Sequence, residues 1–214
     1  MISQAVPGVH FAYSNPGQSE RFAAMSQQER DEIDFVFGHF SYGLHTFFTR
    51  NTVYVASLRE PVERILSAYK YIRATESHPK HAFLRQCAPD FAAFLRYAVE
   101  DENIRAEVDN EQVRQISGEM DLSESYDDIF HKALSNISVP NFICAESDNL
   151  ELMLGVVSER LGLKFGAVPR LNVSAEQINS RNLLAALPDE SFQVLQQFTR
   201  WDYDLWQAAT QQAA

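Results

Sequence analysis

The sequence predicts an α/β fold in which a parallel sheet is covered by helices. Short runs rich in β-branched and small apolar residues alternate with longer stretches of helical periodicity, the pattern of a sheet buried on both faces. At 214 residues the chain is the size of one large domain and can bury a proper core. Its 45% hydrophobic and 22% charged content excludes a disordered chain.

Residues 1–17 carry Pro7, Gly8, Pro16 and Gly17 without periodicity and read as an irregular lead-in, leaving 18–214 as the domain. Residues 18–33 are polar and helix-compatible. Asp34–Phe40 and Thr52–Leu58 read as strands, and Asn141–Ala145 as a third. The clearest helix opens at Pro61, a residue favoured in the first turn, and Val62, Ile65, Leu66, Tyr69 and Ile72 then fall on one face. Further helices are expected around 89–100, 103–116, 124–135, 149–162, 175–186 and 189–209.

The net charge of −11 argues against a general polyanion binder, so nucleic acid is not an expected partner. No apolar run approaches the roughly 20 residues of a membrane span, and Met1–Gly17 lacks the pattern of a secretory signal. Cys87 and Cys144 show no metal-ligand spacing, and Cys144 reads as a small buried residue. A cytoplasmic location is the expectation. The one concentration of positive charge beside a strand end is Arg59, Arg64, Lys70 and Arg73.

The most informative segment is Val53–Arg73. Arg59 stands at the carboxyl end of a strand, where open α/β sheets bind ligands. The helix that follows offers N–H groups and a positive dipole end, and Arg59 adds a permanently charged fork suited to phosphate oxygens. Ser67 lies off the apolar stripe, about 12 Å along if the path is helical. Equally, such an arginine is commonly solvated and a helical serine commonly bonds its own i−4 carbonyl.

The string LREPVERILSAY (Leu58–Tyr69) resembles the 3′-phosphate-binding motif of sulfotransferases that use 3′-phosphoadenosine 5′-phosphosulfate, with Arg59 and Ser67 at its two binding positions. Four other pieces are similar to that family in order. They are GHFSYGLH (Gly38–His45), DNEQVRQISG (Asp109–Gly118), FICAESDNLELML (Phe142–Leu154) and RLNVS (Arg170–Ser174). The resemblance covers roughly residues 33 to 206 and is nearest to bacterial and heparan 2-O-sulfotransferase-like members. It implies a P-loop-NTPase-like parallel sheet and transfer of a sulfuryl group to a hydroxyl acceptor, a carbohydrate by family.

Such transfer needs a base for the hydroxyl proton, and His39 matches the family's GHF histidine. By residue type alone, a histidine in an apolar strand is also a hydrogen-bonded core residue. His45 is a weaker candidate base, and with His39 lacks the third ligand of a metal site. Asn110 and Arg114, four apart on an expected helix, share a face. The resemblance makes them substrate-side residues, while the residues alone read as a solvated helix surface. Asn172 and Ser174 cap the following helix, contact the nucleotide, or do both.

One family feature is lacking. The strand and lysine-containing loop that cradle the 5′-phosphosulfate have no counterpart ahead of Asp34, and no Walker A pattern occurs anywhere, which counts against a nucleotide kinase. The expectation is therefore a sheet without its N-terminal strand and loop, and either an impaired enzyme or a non-catalytic binding or scaffold protein on the same fold.

Overall fold

The structure is a computed structural model that describes residues 7–13, 16–165 and 180–212. It is α/β and mostly helical, with eleven α-helices and two small parallel sheets among the described residues. The chain divides into two compact units. One is the described part of Met1–Leu58 and Arg114–Arg170; the other is Arg59–Val113 with the described part of Leu171–Gln212.

The first unit opens with β1 (Val9–Tyr13), α1 (Pro16–Ala24), α2 (Gln27–Asp31) and β2 (Ile33–Gly38). β1 and β2 pair in parallel from Val9 opposite Ile33 to Tyr13 opposite Gly38. A strand therefore does precede Asp34, and the expectation of an irregular lead-in without one is corrected. Four turn-forming residues flank a strand of only five, which hides it in the sequence. At its end Gly38 sits at φ 136°, and a Cβ there would lie 2.0 Å from the Tyr13 carbonyl oxygen, so only glycine closes this pair. Phe11, Phe22 and Ile33 form the small core, and Phe22 meets Phe11 edge-on at 5.3 Å. Ser26 and Glu29 form a capping box that fixes the start of α2.

The second sheet pairs β3 (Tyr54–Leu58) with β4 (Phe142–Glu146), again in parallel. α8 (Tyr126–Ile137) packs on β4, burying Ile129, Ala133 and Ile137 at spacings of four. α9 (Leu150–Leu161) packs on both strands and buries Met153, Leu154 and Val157. The strands thus form two separate pairs where the sequence predicts one sheet. β1 and β2 bury one side chain each, Phe11 and Ile33. That is too little two-sided apolar surface for the middle of a covered parallel sheet.

The second unit is helical. It comprises α3 (Pro61–Ala74), α4 (His81–Cys87), α5 (Phe91–Glu100), α6 (Glu102–Arg105), the start of α7 (Glu111–Ser117), α10 (Ser180–Ala185) and α11 (Asp189–Gln212). The α3 stripe is as expected: Ile65, Leu66, Tyr69 and Ile72 join Phe91, Phe94, Leu95, Leu195 and Phe198 in one core. Each fully buried side chain of this kind contributes about 1.5–3 kcal/mol. α4 buries only Leu84, so no stripe announces it. The helix expected over 103–116 is broken into α6 and α7 by Asn110 at φ 46°, the left-handed region that asparagine tolerates.

Candidate functional site

Arg59 and Ser67 both belong to the helical unit. Arg59 is the first residue after β3, and Glu60 caps α3. The Arg59 backbone is gripped from both sides by one side chain: its N–H donates to Gln112 Oε1 at 2.8 Å, and Gln112 Nε2 donates to its carbonyl at 3.0 Å. The carboxamide mimics a neighbouring strand and fixes where the arginine stem starts. Along that stem, Nε is buried with no hydrogen-bond partner among the described residues. A buried donor left unmade costs about 1–3 kcal/mol, so this Nε is open to an acceptor that the described residues do not supply.

Ser67 agrees. Its hydroxyl makes no hydrogen bond among the described residues, whereas Ser138, Thr199 and Thr210 each bond the i−4 carbonyl. The helix end is a different matter. Pro61 lacks an N–H, and Glu60 Oε2 accepts from Glu63 N at 2.7 Å, while Glu60 Oε1 accepts from the Tyr203 hydroxyl. A carboxylate of the chain already occupies the dipole end, so an anion here must be held by side chains and not by helix amides. Of the other cations, Arg64 is committed to Glu111 at 2.7 Å and to the Glu107 carbonyl, and Arg73 is turned to the Tyr69 hydroxyl at 2.7 Å through Nη1.

Asn110 and Arg114 are sealed from solvent, at 1% and 0% exposure. Asn110 lies before α7, so the shared helix face expected of the pair is not formed. Its Oδ1 accepts from Trp201 N at 2.8 Å and Asp202 N at 3.2 Å. Its Nδ2 donates to Gln197 O at 3.0 Å, and its backbone N–H to Phe198 O at 2.8 Å. Those are the two donor–acceptor pairs that i→i−4 bonding would join within α11, so Asn110 enters the helix ladder and satisfies both. We expect Asn110→Ala to cost about 2–3 kcal/mol, summing lost buried hydrogen bonds and a non-glycine residue at positive φ. Urea unfolding measures this, and a change below about 0.5 kcal/mol would remove Asn110 from that role. Arg114, in the other unit, donates from Nη1 to Met120 O at 3.3 Å.

Next to Asn110, the fully buried Asp202 carboxylate accepts from Val113 N at 2.8 Å and Gln112 N at 3.4 Å, which caps α7 from across the unit. Burial pushes its acid up to about 7, against these amides and Arg64. Gln112 and Asp202 are the two supports of the candidate site whose role sequence reasoning missed. Gln112 stood in plain view between Asn110 and Arg114, but a clamp reaching back 53 positions has no local signature.

His39 lies in the first unit, exposed, just past the end of β2, and makes no hydrogen bond among the described residues. The core-residue alternative is thereby excluded. His45 is anchored: its Nδ1 lies 2.9 Å from the Tyr54 hydroxyl, which also accepts from His45 N at 2.9 Å and Gly43 N at 3.1 Å. With two amides accepted, the phenol gives its own proton to Nδ1, which leaves the imidazole proton on Nε2. Burial raises the Tyr54 phenol further above its ordinary range. Cys144 is half-buried and its thiol is pushed up to about 12 by burial, so it is no nucleophile. Asn172 and Ser174 lie outside the described residues.

No protein-family model matches the chain, and no curated protein matches it. What is established is an α/β chain whose described helices include none long and apolar enough to cross a membrane.

Proposed function

We propose that this chain is a sulfotransferase-type domain that takes up 3′-phosphoadenosine 5′-phosphosulfate and directs its sulfuryl group to a hydroxyl acceptor, a carbohydrate by resemblance. The observation that carries the reading is the buried Nε of Arg59, on a backbone fixed by Gln112, and the Ser67 hydroxyl on the helix that follows, neither with a partner among the described residues. A 3′-phosphate supplies the acceptor oxygens that this arginine lacks. The nucleotide, when bound, would supply the sulfuryl group as a phosphosulfate anhydride. His39, exposed and unbonded, takes the proton of the acceptor hydroxyl. Asn110 and Arg114, at 1% and 0% exposure, are sealed from an acceptor, and Asn110 serves this reading through the α11 backbone that it holds.

The fit is good for the 3′ end only. The stretch 14–19, which follows β1 and runs into the first turn of α1, holds no lysine, and the first lysine of the sequence is Lys70. No lysine there neutralises the leaving 5′-phosphate of the nucleotide. That observation favours a second reading, a nucleotide-binding or scaffold protein that does not catalyse transfer. Calorimetric titration with adenosine 3′,5′-bisphosphate and adenosine 5′-monophosphate, followed by a sulfate-transfer assay, separates the two. Preference for the bisphosphate of about tenfold or more with transfer makes the chain an enzyme, and preference without transfer makes it the scaffold. Equal affinity for both nucleotides would sink both readings.

A further inference from the structure

The helical unit contains a cleft of about 700 Å³, formed by the last turns of α3, by α4, by the start of α5 and by Leu183 of α10. That volume lies within the range of small-molecule sites, about 300–1,000 Å³. Its apolar surface comes from Ala74, Ala82, Pro89 and Leu183, while Tyr69 and Phe91, at 3% and 1% exposure, belong to the core behind it. Its cations are Lys70, Arg73 and Arg85, against two carboxylates, Glu76 and Asp90. In a chain of net charge −11, a recess with an excess of positive charge goes against the global field.

The polar groups are pre-positioned. Arg73 Nη1 donates to the Tyr69 hydroxyl and to the Pro89 carbonyl, and the guanidinium stands 5.8 Å above the Tyr69 ring. This fixes the fork while Nε and Nη2 stay without a partner among the described residues. Arg85 is exposed and has no partner among them either. His81 Nδ1 lies 3.0 Å from the Ile72 carbonyl, which can only accept, so the ring donates there and turns Nε2 to other uses. Asp90, by contrast, is occupied in capping α5 through Ala93 N at 2.7 Å. Donors from two arginines exceed what the two oxygens of a carboxylate use, and suit a head group with three terminal oxygens.

We propose that this cleft binds a phosphate or sulfate monoester with a small apolar body, its head group on Arg73 and Arg85 and its body against Pro89 and Leu183. The site is separate from Arg59 and Ser67 and does not depend on the sulfuryl-transfer reading. Calorimetric titration of phenyl phosphate, phenyl sulfate, inorganic phosphate and phenol into the full chain tests it, alongside Arg59→Ala, Arg85→Gln and Arg96→Gln. Arg96 is an exposed arginine of α5 outside the cleft, so its variant carries the same charge change.

The expected result is that one or both esters bind the wild-type chain and Arg59→Ala equally. The relative affinity of the two esters identifies the head group. Phenol and inorganic phosphate then bind at least tenfold more weakly. Arg85→Gln weakens the ester about tenfold, the equivalent of one charge-assisted contact, and Arg96→Gln leaves it unchanged. The proposal is overturned if neither ester binds at millimolar concentration, or if phenol binds as tightly. It is equally overturned if Arg96→Gln weakens the ester as much as Arg85→Gln, or if Arg59→Ala abolishes binding.

Discussion

Replacing Arg59 by alanine is expected to weaken adenosine 3′,5′-bisphosphate by about 10- to 100-fold and to leave adenosine 5′-monophosphate unaffected. The magnitude follows from hydrogen bonds to a charged group, worth about 1.5–3 kcal/mol, at about 1.4 kcal/mol per tenfold in affinity. The variant should fold as well as the wild type. The Gln112 clamp holds the Arg59 backbone, which alanine retains, and the side chain that is removed carries a buried donor with no partner among the described residues. Arg59→Lys should recover little, because a lysine keeps the charge but not the fork. Gln112→Ala should weaken the bisphosphate less than Arg59→Ala and cost stability as well, since it frees both polar groups of the Arg59 backbone. Calorimetry for binding and urea midpoints for folding give both readouts. Were the bisphosphate to bind Arg59→Ala as it binds the wild type, the strand-end arginine would have no role in phosphate recognition.

What the sequence disclosed and what it hid divide along physical lines. The α3 stripe, the β3 run and Arg59 at its end were legible because periodicity and turn chemistry are local properties. Ile65, Leu66, Tyr69 and Ile72 announce their burial by their spacing, and each is buried. β1 was not legible, because one buried phenylalanine in five residues leaves no pattern strong enough to outweigh Pro7, Gly8, Pro16 and Gly17. The break between α6 and α7 was hidden for another reason. Asn110 is drawn out of a helical register by four hydrogen bonds to α11, about ninety positions away. A polar residue in a helical stretch looks solvated until its distant partner is known. The same holds for Gln112 and Asp202, so the residues that position the candidate site were harder to find than the residues that form it.

Asp202 lies at the root of that arrangement, and its titration should be visible in the stability of the chain. In the folded protein burial raises its acid from 3.8 to about 7. Between roughly pH 4 and pH 7 the native state therefore holds a proton that the unfolded state has released. Stability contributed by this group is full below the unfolded value and falls as pH rises through the window, levelling off above about 7. A shift of about three units corresponds to about 4 kcal/mol. Asp202→Asn keeps an oxygen for the Val113 and Gln112 amides but cannot ionise. It should match the wild type near pH 4 and exceed it by several kcal/mol at pH 8, as read from urea unfolding at both values. A constant difference between the two proteins across that range would mean that Asp202 does not titrate there. The consequence reaches the candidate site through a short path. The carboxylate caps the turn of α7 that carries Gln112, and Gln112 grips the backbone of Arg59. Ionising Asp202 strengthens its bonds to the α7 amides while raising the cost of burying it. The seat of Arg59 is therefore tightened by the same event that makes the fold less stable.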